Sequence, residues 1–173
     1  MNLINGMIAM NEILLIVGLA LLEAALVFVV RPWQPSAITA MAALVALHVS
    51  TYICLPVSTF VFWGVASLIV LAIGLLLPKG EPGGSRQGSC YLVAGALAGL
   101  LVGIAVDARV MILCAIFGAI FGELAYSRTP KGCWIKFPSL DFIHYFCAKG
   151  MNIVVTVAMV GIAIEGFIKN LAR

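Results

Sequence analysis

The feature that most constrains this chain is a succession of apolar stretches, each long enough to cross a bilayer as a helix, with only short polar segments between them. Crossing about 30 Å of hydrocarbon takes roughly 20 helical residues. Residues 10–30, 36–55, 57–77, 90–106, 110–126 and 150–168 meet that requirement closely enough to predict six spans. Pro56 divides what would otherwise be one 42-residue run from 36 to 77, too long for a single crossing. A water-soluble domain carries about 25% charged residues, whereas this chain has 10% charged and 64% hydrophobic residues. So few charges do not coat a soluble globule, and lipid is the solvent that fits. The expected fold class is all-α: one integral membrane domain, a polytopic helical bundle with no extramembrane domain.

The segments between spans carry the remaining information about topology. Residues 31–35 combine a charge, two prolines and Trp33; residues 78–89 are dense in Pro, Gly and Ser; residues 107–109 make a short reversal; and residues 127–138 form a second basic loop. Ser139 is placed to cap a last helix whose first part, residues 139–149, is expected to lie in the membrane interface. With six spans, the loops after spans one, three and five hold Arg31, Lys79, Arg86, Arg128, Lys131 and Lys136. The opposite face holds Arg109, Lys169 and Arg173, with Lys149 left out as intramembrane. The excess of Lys and Arg assigns the first set to the cytoplasm and both termini to the outside, which predicts a multi-pass protein of the cell (inner) membrane. Residues 1–10 have no Lys or Arg, so the first helix reads as retained rather than cleaved. No basic run suits nucleic acid. The five cysteines contain no Cys-x-x-Cys pair, which argues against a disulfide framework or a metal site.

Two spans share an unusual composition. Gly95, Gly99 and Gly103 recur every four residues in span four, and Gly118 and Gly122 repeat the device in span five. In lipid there is no hydrophobic drive between helices, so association depends on close backbone approach. A face cleared by glycine predicts an antiparallel glycine-zipper hairpin of spans four and five. A homo-oligomer seam or a glycine-lined pore is the other reading of the same face.

Ionisable groups within spans are costly and normally find a partner or water. Glu23 lies three residues past the midpoint of span one among apolar residues. It reads either as a proton- or ion-handling group or as a neutral carboxyl hydrogen-bonded inside the bundle. Glu123, near the end of span five, and Lys149, where the last helix turns apolar, are expected at one level and close enough to pair. That pair reads as a structural clamp or as part of a polar pathway with Asn152. His48 in span two reads as a titrating group or a buried hydrogen-bonding one. Glu12 and Glu165 are near helix ends and read as anchors. Arg128, Lys131, Lys136 and His144 are candidates to contact lipid headgroups, and Trp33, Trp134 and Tyr126 fit an interfacial belt, with Trp63 deeper.

The Gly95/Gly99/Gly103 ladder, the phrase FGAIFGEL from Phe117 to Leu124 and Lys149 opening an apolar span resemble a family of uncharacterised bacterial glycine-zipper membrane proteins, domain of unknown function 456. The resemblance covers roughly residues 92–164. It implies a second zipper ending in Glu123 and a Lys149 before the last span, and it implies no activity or cofactor.

No phosphate-binding loop, metal-ligand spacing or nucleophile elbow is present, so the sequence leans away from an enzyme and names no cofactor. Two functions remain. One is a transporter or channel for an ion or small solute, with Glu23, His48, Glu123, Lys149 and Asn152 on its path. The other is a non-catalytic membrane component that binds lipid or supports a homo-oligomer or larger complex.

Overall fold

The computed structural model of the chain describes residues 2–30, 36–76, 86–106 and 108–171, and every regular element in them is helical. In order these are α1 (Asn2–Val30), α2 (Ser36–Val49), α3 (Val57–Leu76), α4 (Arg86–Ile104), α5 (Ala108–Ser127), α6 (Leu140–Tyr145), a π-helical turn (Phe146–Gly150) and α7 (Met151–Leu171). Among the described residues five stretches are long and apolar enough to cross a membrane: Ile8–Val30, Val57–Leu76, Gln87–Ile104, Val110–Ser127 and Leu140–Leu171. The chain is a multi-pass membrane bundle. The expected terminator at residues 31–35 with Trp33, most of the 78–89 loop with Lys79, Asp107 and Arg173 lie outside the described residues, as do the side chains of Arg86 and Arg109.

The second span departs from expectation. Its helix stops at Val49, not at 55, and is only 14 residues long. The cause is local: Ser50 Oγ donates to the Leu47 carbonyl at 2.7 Å, and Thr51 adopts a left-handed φ of 65°, a conformation that ends a helix. His48 then ties the turn together. Its Nδ1 is 3.1 Å from the Ile53 carbonyl and 3.4 Å from the Leu55 amide, so either ring tautomer forms a bond. The last helix is continuous through its expected interfacial and spanning parts. No break separates an interfacial piece from a span, and α6, the π turn and α7 form one 32-residue rod. Ser139 does cap it, accepting from the Phe142 amide at 3.2 Å.

That rod is the hub. Every residue of α7 from Ile153 to Gly161 is buried, and so is Ala163, because α1, α2, α3, α4 and α5 all pack on it. Contacts along α7 set the direction of each neighbour. Ser36 bonds to Thr156 and Ile53 fills the space beside Gly166, so α2 runs parallel to α7. Met111 and Leu100 both meet Gly161, while Tyr126 stacks on Tyr145, so α4 runs parallel and α5 antiparallel. The starts of α2, α4 and α6 therefore share one end of the bundle with the described basic residues Arg128, Lys131 and Lys136. Among the described residues α3 and α5 make no contact, and the ring around α7 is open between them.

The tightest contact is between α4 and α5. A β-carbon on Gly95 would lie 2.1 Å from the Gly118 carbonyl oxygen, one on Gly99 1.9 Å from that of Cys114, and one on Gly122 2.3 Å from that of Tyr91. No side chain fits at these points. The glycine hydrogens that replace it point at facing carbonyls, the geometry of Cα–H···O contacts between helices. Gly103 packs as closely against the Met111 Cα, with no carbonyl facing it. Gly99→Ala is expected to lower stability in detergent by about 1–3 kcal/mol. Gly74, with nothing within 4 Å, supplies the control: Gly74→Ala is expected to be neutral or favourable, as helix propensity dictates. Equal effects of the two exchanges in an unfolding titration would refute the close contact.

Candidate functional site

The polar residues singled out by sequence do not converge on one path. His48 is committed to the α2–α3 turn, where it also packs on Phe60 with ring centroids 4.9 Å apart. Glu23, read either as an ion-handling group or as a neutral carboxyl inside the bundle, is exposed on the outer face of α1, because the helix turns Leu22, Ala25 and Val29 inward instead. Glu12 is exposed as well, and Glu165 pairs with Lys169 one turn on. That pair stands at the rim of an apolar cleft of about 380 Å³ between Trp63 of α3, Ile112 of α5 and Ile162 of α7, where the ring is open.

The remaining three candidates gather near the basic end. On α5, burial falls on Met111, Ala115, Ala119, Glu123 and Tyr126, a stripe at spacings of four, four, four and three that faces the core shared with α4 and α7. Glu123 is one turn deeper than Tyr126. Lys149 is one turn deeper than Tyr145 on the antiparallel rod, and the two tyrosine rings lie 6.1 Å apart. Both charged residues thus sit about 5 Å inward of the same aromatic pair, at the common level expected from the sequence. The expected ion pair does not form: neither Glu123 oxygen has a hydrogen-bond partner, and the Lys149 ammonium rests over the Tyr145 ring, 4.9 Å from its centroid. Lys149, inside the π turn, follows Tyr145 by four residues, which puts both on one face of the rod. An extra residue in the turn rotates the helix beyond it, and Phe146 closes against the bare backbone of Gly150.

Glu123 is the most consequential of these. It is 0% exposed and lies beside a backbone, that of Gly122, pressed against Tyr91 and Leu92. Nearly all buried polar groups in proteins are hydrogen-bonded, so a carboxyl with two unpartnered oxygens needs a reason. Above it an aromatic layer separates the core from the basic end. Tyr91 and Tyr126 are 5.8 Å apart, and Trp134 meets Tyr145 edge-on at 5.9 Å.

Asn152 belongs to a second polar group that sequence reading only half finds. Its Nδ2 donates to Ser36 Oγ at 2.8 Å, Ser36 lies 3.0 Å from Thr156 Oγ1, and Thr156 donates to the Asn152 carbonyl at 2.8 Å. Ser36 joins the start of α2 to α7. The i, i+4 pair Asn152 and Thr156 is the available signal, since the two share a helix face. Among the described residues no cluster of three or more His, Cys, Asp or Glu is arranged to hold a metal. Arg128, Lys131, Lys136 and His144 are all exposed at the basic end, and a second cleft of about 330 Å³ opens there between Tyr91 and Lys131. Comparison with protein-family models, curated proteins and solved structures gave no match.

The Ser36–Asn152–Thr156 group yields a direct test. Ser36→Ala and Asn152→Ala are each expected to cost roughly 1 kcal/mol in detergent unfolding, and the double variant less than their sum. Strict additivity would mean the group does not act as one.

Proposed function

We propose that the chain is a small transporter or channel of the cell membrane that handles protons or a small cation, with Glu123 as the group that binds and releases the ion. The observation that carries this reading is the buried, unpartnered carboxyl in the core of α4, α5 and α7. A carboxyl kept for structure is paired, and an apolar side chain of similar volume would hold the core better at lower cost. One that exchanges a proton or cation gains from standing without a fixed partner, because the transported ion completes it. Lys149 lies at the same depth, so a small movement of the π turn alters the charge facing Glu123. The tyrosines Tyr91, Tyr126 and Tyr145 separate the site from the basic end, as a gate would.

The reading shifts the weight from Glu23 to Glu123, since Glu23 faces outward. The resemblance to domain of unknown function 456 brings no activity with it, and the proposal rests on the site alone. A non-catalytic role in lipid binding or complex assembly is the alternative, favoured by the exposed Lys131 beside the cleft at the basic end.

Purified protein in proteoliposomes is expected to pass protons or a monovalent cation. Glu123→Gln is expected to bring that flux to background without loss of folding, and Lys149→Met to change its rate or ion preference. Undiminished flux in Glu123→Gln sinks the role of Glu123. A well-folded, inserted wild-type protein with no flux sinks transport altogether.

A further inference from the structure

Helix α1 presents two opposite stripes. Gly18, Leu22, Ala25 and Val29, at spacings of four, three and four, face the bundle, and the bare Gly18 admits the Leu47 side chain. On the other side Ile13, Ile16, Ala20, Glu23 and Val27 repeat at three, four, three and four, and all five are exposed. Ile13 is 60% exposed, Ile16 66% and Val27 55%. An alternation of three and four keeps residues on one straight seam between paired helices.

Glu23 stands on that seam at a depth where nothing in lipid can satisfy it. It is four residues past the central Leu19 of the Ile8–Val30 span and seven from its end, about 10 Å of helix, farther than its short side chain reaches. Among the described residues it has no hydrogen bond or ion pair. Lipid headgroups remain outside the hydrocarbon. A partner must therefore approach α1 from outside.

We propose that this partner is a second copy of the chain, with the two α1 helices paired along Ile13, Ile16, Ala20, Glu23 and Val27 and the two Glu23 carboxyls hydrogen-bonded to each other. Two copies inserted with the same topology run their α1 helices in the same direction. A two-fold axis along the membrane normal then sets position 23 against position 23. A carboxyl in its neutral form both donates and accepts, so this residue is its own complement, whereas a lysine or arginine would not be. Ala20, one turn away, has almost no side chain, which brings the backbones close enough for two short carboxyl arms to meet. The docking needs no rearrangement, since α2, α4 and α7 all pack on the far side of α1.

The test uses the full chain with its native cysteines replaced by serine and single cysteines introduced by Ala20→Cys or, as control, Val65→Cys on the outer face of α3. In phosphatidylcholine vesicles, oxidation is expected to give a covalent dimer from Ala20→Cys and none from Val65→Cys. Energy transfer between labelled copies, monitored as lipid is added, is expected to show Glu23→Leu dissociating at about tenfold higher protein density. Glu23→Gln, whose amide also donates and accepts, should associate as the native protein does. A native chain that stays monomeric at every density, dimers that form through position 65, or Glu23→Leu associating unchanged would each overturn the proposal. So would cross-linking of position 20 in native membranes to a different protein only.

Discussion

The backbone contact between α4 and α5 is the constraint on which the rest of this bundle is built. Lipid offers apolar helices nothing to escape from, so two of them stay together only if they touch over a surface that lipid tails do not match. Gly95 against Gly118, Gly99 against Cys114 and Gly122 against Tyr91 provide that surface by removing every atom beyond the backbone. The resulting hairpin acts as one thick element. It gives α7 a continuous wall on which Leu100 and Met111 flank Gly161, and α7 in turn offers its other sides to α1, α2 and α3. Removing the glycine contact would separate α4 from α5 and leave Glu123 open to lipid, so the burial of this carboxyl depends on those glycines.

Much of this architecture is legible in the chain. The span lengths, the breaks and the four-residue glycine rhythm derive from the thickness of hydrocarbon and the geometry of a helix, and the hairpin of α4 and α5 is where that rhythm puts it. What escapes sequence reading are events of a single turn. Nothing in LHVSTYICLP says that Thr51 adopts a left-handed conformation, so span two reads as six residues longer than the helix that forms. The π turn at Phe146–Gly150 is equally silent, because one extra residue in a helix changes no composition. Lys149, within it, lies over Tyr145 rather than against Glu123. The orientation of Glu23 is open in the sequence for a related reason: α1 is apolar on all sides, so no periodicity marks which face is buried.

The two intramembrane glutamates show how one cost is met in different ways. Both stand in spans where a carboxyl is expensive, and neither has a hydrogen-bond partner within the described chain. Glu123 is enclosed by protein in the core shared by α4, α5 and α7. Glu23 faces outward, where any partner must arrive from the plane of the membrane, and an occupant there must be a helix. Burial alone separates the two, although by residue type and depth the carboxyls look alike.

These two sites are mechanically connected through α7. The Ser36–Asn152–Thr156 bonds hold the start of α2 to α7, and α2 is the principal neighbour of α1. Asn152 lies two residues beyond the π turn. Packing and hydrogen bonds therefore run without a gap from α1 through α2 and Ser36 to the turn that carries Lys149. Coupling of this kind runs through hydrogen bonds and packed side chains with two discrete arrangements. The π turn, which sets Lys149 relative to Asn152, lies on that path.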